Sequence, residues 1–311
     1  MLCYFCSTTE KTIFMKSSNF VLIVLVCDIM LLMNSCTASN EKPALMPSPV
    51  SVQFGKGAFT FSHETVISVE DRQQMEVAEW FAWLFAHPAG FVPKVFQDAS
   101  DADIILRRDD AMMPESYRIN AGRTGIVIEA SGQAGFFYAF QTLRQSLPEE
   151  ISASRHADGL VWAIPAMTIY DGPRYSHRCL KVDVEEHFIP AEELKAFVEC
   201  MSMLKLNYLH LFGYELYSDE ELEDIMSHAS GLYVDVVCGE GCKAPLYSCP
   251  DDIASHVLES VAALAEVAWS DREVVDRIGF NRAVDALDVY LSQTILGYSN
   301  SVYDIGLSAL H

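Results

Sequence analysis

Positive charge is scarce in this sequence. Its 311 residues include 21 lysines and arginines against 43 aspartates and glutamates, which gives a formal net charge of −22 at pH 7. Because phosphate backbones and anionic lipids are negative as well, this charge argues against nucleic acid and anionic membrane surfaces as partners. The surplus of carboxylates either suits a protein acting outside the cytoplasm on neutral or cationic ligands, or simply keeps the surface soluble.

An uninterrupted hydrophobic run of membrane-spanning length is also lacking near the N-terminus. The apolar stretch from Phe20 to Met33 is short and contains Asp28, whereas a spanning helix needs about 20 apolar residues. Lys16 precedes this stretch and Cys36 follows it directly after a small residue, which is the order found in secretory signals. We predict a lipoprotein-type signal segment over residues 1–36, lipidation at Cys36, and a bacterial lipoprotein of the periplasm or outer membrane. A cleaved soluble form and a single membrane anchor are the alternatives.

Closely paired cysteines are missing too. The five cysteines beyond the signal segment are Cys179, Cys200, Cys238, Cys242 and Cys249. The last three are separated by three and six residues, and this spacing lacks the CxxC pairs that are typical of structural zinc sites. We therefore predict no metal site and no cofactor, and we favour unpaired thiols over a disulfide.

The pattern of apolar residues predicts two structured parts. Residues 37–48 are polar and contain proline, which is typical of a tether. Residues 49–150 alternate between short strands and helices in the order of a small α+β domain. The segment 178–184 is almost continuously apolar, as expected of a parallel strand covered on both faces. Two further strands are predicted over 206–211 and 232–237, with helices between them.

Several phrases resemble one family of enzymes. They are Glu115-Ser-Tyr-Arg118, Ala134-Gly-Phe-Phe-Tyr138 with Gln141-Thr-Leu143, and Ile169-Tyr-Asp-Gly-Pro-Arg174. Together with the strand, helix and strand over residues 164–210, these phrases resemble the β-N-acetylhexosaminidases of glycoside hydrolase family 20. The resemblance extends over residues 46–237 and 253–305, with a gap between them.

The resemblance implies an α+β domain followed by a (β/α)₈ barrel. A barrel of this kind takes about 250 residues, whereas 141 residues remain from Asp171 onwards. We therefore expect an α/β chain in which the N-terminal α+β domain, 49–150, precedes an incomplete TIM barrel over 165–311. About three parallel strands and the C-terminal helices would remain. The open edges of such a sheet favour pairing with a second copy of the chain.

The same resemblance implies removal of terminal N-acetylhexosamine from glycans by a substrate-assisted retaining mechanism. Family members carry an adjacent Asp and Glu in an H-x-G-G-D-E phrase, and this sequence does not contain it. Its one Asp-Glu step, Asp219-Glu220, falls at a predicted helix start. Carboxylates are common there because the helix dipole stabilises negative charge at the first turn. We therefore assign no catalytic residue and predict a family member without activity. The alternative hypothesis is a glycan-binding or scaffold lipoprotein. A third hypothesis is a hydrolase that uses other carboxylates.

Four residues remain as candidates for contact with an N-acetylhexosamine glycan. They are Arg178, Asp183, His187 and His210. The resemblance implies that Arg178 binds sugar hydroxyls, while an ion pair to Asp183 or another core carboxylate would explain it equally well. His210 lies on a predicted buried strand, so it also fits a core histidine with satisfied hydrogen bonds.

Overall fold

The computed structural model describes residues 42–153, 155–185, 188–239, 257–270, 281, 282 and 284. These residues form strands β1 Ser51–Thr60, β2 Val66–Val69, β3 Lys94–Gln97, β4 Ile104–Arg108, β5 Tyr117–Ala121, β6 Ile126–Ala130, β7 Ala163–Asp171, β8 Cys179–Asp183, β9 Tyr208–Phe212 and β10 Asp235–Cys238. The helices are α1 Arg72–Trp83, α2 Gln133–Ser146, α3 Ala191–Met203, α4 Asp219–Gly231 and α5 Val257–Trp269. No helix within these ranges has the length and hydropathy that crossing a membrane requires.

The first seven strands form one mixed sheet in the order β1-β7-β5-β6-β4-β2-β3. Helices α1 and α2 pack together beside this sheet, and Phe81 of α1 stacks on Phe140 of α2 with ring centroids 4.4 Å apart. Gly135 allows α2 to approach the sheet closely, because a Cβ atom there would lie 2.7 Å from the carbonyl oxygen of Ser116. The apolar faces of both helices thus form the core of an α+β layer.

The second sheet is parallel and has the order β10-β9-β8. Its register pairs Cys179 with Tyr208 and Lys181 with His210. Because side chains alternate along a strand, these four residues share one face, which we call the interior face. The opposite face carries Leu180 and the leucines of β9, which are buried. That face forms a common core with the buried residues of α3 and α4.

A buried polar network joins the two sheets. The Lys205 ammonium donates to the Asp171 carboxylate at 2.8 Å and to the hydroxyl of Tyr117 at 2.7 Å. On the other side, the indole of Trp269 in α5 donates to Asp171 at 2.9 Å. Two charges without access to water are tolerated only when paired and hydrogen-bonded, and this network meets that condition.

The expected architecture is confirmed: an α+β sheet is followed by an incomplete barrel with three parallel strands among the described residues. Two strands of the first sheet were not predicted, β3 and β7. Strand β7 contains Pro165 and pairs with β1 and β5, so part of the segment assigned to the barrel lies in the N-terminal sheet. Residues 46–48, assigned to the tether, are packed: the Ser48 amide donates to the Glu266 carboxylate at 2.9 Å. The domain limits at 36, 48, 150 and 165 stay predictions.

Candidate functional site

The carboxyl ends of parallel strands are where (β/α) barrels build their sites. In this chain strand β8 ends at Asp183, β9 at Phe212 and β10 at Cys238. Gly213 follows β9 with a φ of 72°, and a Cβ atom there would lie 2.9 Å from the amide nitrogen of Glu185. Only glycine fits this close approach, which fixes the loops after β8 and β9 beside each other.

Asp183 lies at this end of the sheet and is exposed to solvent. Its carboxylate accepts a hydrogen bond of 3.1 Å from the amide of Glu185, two residues further on. The Asp183 side chain therefore stabilises the local turn and remains accessible to a ligand. Contact between Asp183 and a sugar stays a prediction.

His210 occupies the interior face, two residues before the end of β9. It is 2% exposed, and its Nε2 atom has no hydrogen-bond partner among the described residues. Burial lowers the pKa of His210, and the neighbouring His177 lowers it further, so the ring is neutral at pH 7. The alternative of a satisfied core histidine is therefore not what the structure shows, because one buried nitrogen is orphaned.

Arg178 lies at the opposite end of the sheet, directly before β8. It is 1% exposed and forms an ion pair of 2.8 Å with Glu115 of the N-terminal domain. Its Nη2 donates to the hydroxyl of Tyr138 at 3.0 Å, and its Nε donates to the carbonyl oxygen of Lys205 at 2.7 Å. All five guanidinium N–H donors have acceptors within the protein. This arrangement favours the ion-pair interpretation over sugar binding, with Glu115 as the carboxylate instead of Asp183.

The sequence analysis missed Glu115 as the partner of Arg178 and Lys205 as the partner of Asp171. Both pairs join residues more than thirty positions apart, so no local pattern indicates them. His187 and Cys36 lie outside the described residues. The predicted helix start at Asp219-Glu220 is confirmed, because both residues lie in the first turn of α4. The structure adds a capping box between Ser218 and Glu221.

A cavity of about 770 Å³ lies near the amino ends of β9 and β10, away from the usual barrel site. Its lining combines aromatic rings with polar groups: Trp80, Phe137, Tyr138, Tyr208 and Tyr233 with Glu76, Glu115, Gln133, Asn207 and Asp235. Rings with a few polar groups are typical of small-molecule sites. The cavity lies between the helices of the N-terminal domain and the parallel sheet.

A mixed sheet with two helices, followed by three parallel strands in the described residues, defines an α+β sheet joined to a partial (β/α) barrel. The family model described as "Glycosyl hydrolase family 20, domain 2" matches residues 42–172, and "Glycosyl hydrolase family 20, catalytic domain" matches residues 175–215. The two matches follow each other directly and span more than half of the chain. The chain belongs to glycosyl hydrolase family 20.

Curated relatives agree with this family. The chain is 23% identical over 270 residues to a beta-hexosaminidase of Porphyromonas gingivalis, a match that covers 75% of this chain and 33% of that protein. It is 30% identical over 174 residues to a beta-N-acetylhexosaminidase of Cellulomonas fimi, covering 54% and 34% respectively. The matched part therefore spans about a third of the length of these relatives.

Solved structures show the same fold. A Streptomyces plicatus N-acetyl-beta-hexosaminidase, in complex with Thio-NAglucal, superposes with a TM-score of 0.60 at 21% identity, covering 84% of this chain and 66% of that one. The family 20 enzyme of Streptomyces coelicolor gives a TM-score of 0.57 at 22% identity, with 82% and 66% covered. At this identity the likeness concerns the fold.

Proposed function

We propose that this chain is a family 20 β-hexosaminidase homologue that does not hydrolyse glycosides by itself. The observation that carries the proposal is the position of Asp219 and Glu220, the one Asp-Glu step in the sequence. Both are exposed in the first turn of α4, where they stabilise the helix through its dipole. A general acid for glycoside cleavage must instead be held protonated beside the scissile bond, usually by burial.

The carboxyl ends of the three parallel strands support the same proposal. They present Asp183, Phe212 and Cys238, and only the first of these carries a carboxylate. A substrate-assisted retaining mechanism needs one carboxylate to steady the oxazolinium and a second group to protonate the leaving oxygen. Among the described strand ends, only one of these two groups is available.

The test is turnover of a chromogenic N-acetyl-β-glucosaminide by the purified full chain. We expect no release above that of a heat-inactivated sample, with the Cellulomonas fimi relative assayed in parallel as a positive control. Turnover by the full chain, abolished in an Asp183→Asn variant, would overturn the proposal and identify Asp183 as a working carboxylate.

The cavity near the amino ends of β9 and β10 favours a second function, the binding of N-acetylhexosamine glycans without cleavage. Its aromatic rings offer surfaces for sugar faces, and its amides and carboxylates offer partners for hydroxyls. Calorimetric titration with N-acetylglucosamine oligomers should give heat for the full chain and for Trp83→Ala, because Trp83 is 66% exposed and does not line the cavity. The same titration should give none for Trp80→Ala, which removes a lining ring. Absence of heat at millimolar sugar for the full chain contradicts this function.

We further propose that the protein is an extracytoplasmic lipoprotein anchored through Cys36. The support is the order of basic, apolar and small residues before this cysteine. Cys36→Ala should move the protein from the membrane fraction to the soluble fraction of expressing cells. Unchanged fractionation would contradict the anchor.

A further inference from the structure

Three side chains on the interior face bring together the donor atoms that transition metals prefer. His177, Cys179 and His210 each offer one nitrogen or sulfur atom, and these three atoms lie within 4.8 Å of one another. The register of β8 and β9 explains why these three side chains lie close together. His177 precedes Cys179 by two residues and so shares its face, and β9 places His210 opposite Lys181 on that same face.

We propose that His177, Cys179 and His210 form a zinc site that joins the start of β8 to the middle of β9. Tetrahedral zinc lies about 2.0–2.1 Å from imidazole nitrogen and about 2.3 Å from thiolate sulfur. Bonds of these lengths at tetrahedral angles put neighbouring donor atoms about 3.3–3.6 Å apart, so donor atoms up to 4.8 Å apart must draw together by as much as about 1.5 Å. The three protein ligands leave a fourth position for water, on the side where the half-buried His177 meets solvent.

The burial of His210 is an independent reason for a ligand at this point. Its ring is 2% exposed, and its Nε2 has no hydrogen-bond partner in the described structure. An orphaned buried nitrogen calls for an explanation, and an ion that is not part of the polypeptide is one of the few available. The ring of His177 is held beside it by stacking on Tyr208, with centroids 3.8 Å apart.

The chemistry of the donors favours a transition metal over the alkaline-earth ions. Two imidazoles and one thiol suit zinc, whereas calcium and magnesium require oxygen ligands. Binding converts the Cys179 thiol to a thiolate and releases one proton to solvent. The site does not include Cys238, Cys242 or Cys249, the cysteines whose spacing in the sequence is unlike that of a structural zinc site. It is also separate from Asp183, which lies at the other end of β8.

Cobalt titration of the metal-free full chain tests the proposal, because Co²⁺ takes the place of zinc and absorbs light. We expect one equivalent of Co²⁺ to produce a thiolate-to-cobalt band in the near ultraviolet and the strong visible bands of a four-coordinate ion. Zinc should abolish both. Cys179→Ala should lose the near-ultraviolet band and His210→Gln should weaken binding. Cys238→Ala is the matched control, since Cys238 is on the opposite face of β10, and it should keep the full spectrum.

Stability provides a second readout that does not depend on colour. Zinc should raise the melting temperature of the unmodified chain and should raise that of Cys179→Ala and of His210→Gln much less, because a ligand stabilises a folded chain only as far as it binds it. The melting curve of each metal-free variant shows whether it folds. If the thiolate band is missing from the unmodified chain, or persists in Cys179→Ala, the site does not exist as described.

Discussion

At the scale of single residues, the ion pair between Arg178 and Glu115 has the largest expected effect on stability. The Arg178 side chain is fully buried, and that of Glu115 is 20% exposed. Removing one partner of such a pair leaves the other charge in a poorly hydrated place, which costs more than a surface pair ever contributes. The pair also fixes the N-terminal domain against the start of the first barrel strand.

We expect Arg178→Ala to lower the free energy of unfolding by about 3 kcal/mol. Urea denaturation followed by circular dichroism measures this change. The matched control is Arg72→Ala, which breaks an exposed pair with Glu76 and should cost less than about 1 kcal/mol. Equal losses for the two variants would show that the Arg178 pair is not the anchor that its burial indicates.

At the scale of elements, the loop after β9 depends on a backbone that only glycine adopts freely. Gly213 combines a φ of 72° with contacts that a Cβ atom would make at 2.7 and 2.9 Å to Glu185. Gly213→Ala should therefore destabilise the protein by about 1–3 kcal/mol.

The control is Gly231, near the end of α4, where an added Cβ atom would have no heavy atom within 4 Å. Gly231→Ala should therefore be neutral or slightly stabilising. Thermal melts of both variants compare them; a Gly213→Ala variant as stable as Gly231→Ala contradicts the close approach.

The start of α4 gives a pH-dependent contribution with a definite sign. Hydrogen bonds from the backbone and side chain of Ser218 lower the pKa of Glu221 below its usual 4.5. Because the folded-state pKa lies below the unfolded one, the stabilisation is complete above pH 4.5 and is lost as the pH falls through the folded value. Replacing Glu221 by Gln should therefore cost stability at pH 6 and progressively less towards pH 3.

Urea melts at several pH values between 6 and 3 measure this difference. Ser218→Ala is the companion variant, since it removes one of the two hydrogen bonds to the Glu221 carboxylate and should show a weaker pH dependence of stability than the unmodified chain. A difference between the unmodified chain and Glu221→Gln that stays constant with pH would exclude the capping box as its source.

Local patterns in the sequence were sufficient to predict some elements of the fold and not others. The cap of α4 was predictable because Ser218 and the acidic residues after it act within one turn. Strand β7 was missed because its pairing with β1 and β5 is made far away in the chain and Pro165 interrupts its pattern. Arg178 is the first residue of the predicted strand 178–184, and this position alone puts it at the amino end of the strand, opposite the usual barrel site. The meeting of His210 with Cys179 depends on register, which no single strand reveals.

At the scale of the whole molecule, the two sheets share buried polar groups and should unfold together. Asp171 ends the last strand of the first sheet, Lys205 precedes β9 in the second, and Trp269 of α5 binds the same carboxylate. Freeing either sheet alone would expose a charge that is paired only across the junction. Helix α5 also holds the amide of Ser48 through Glu266.

Two probes on different sheets test this cooperativity in a urea titration. Three of the four tryptophans lie in the N-terminal part, so fluorescence reports mainly on the first sheet. Cys200 of α3 reports on the second, because it is 0% exposed and burial raises the pKa of its thiol to about 12, which protects it from alkylation. We expect alkylation of Cys200 and the change in fluorescence to share one midpoint, while the half-buried Cys238 reacts earlier and confirms that the reagent is active. Alkylation of Cys200 at lower urea than the fluorescence change would mean that the parallel sheet opens alone and that the Asp171 network does not join the two.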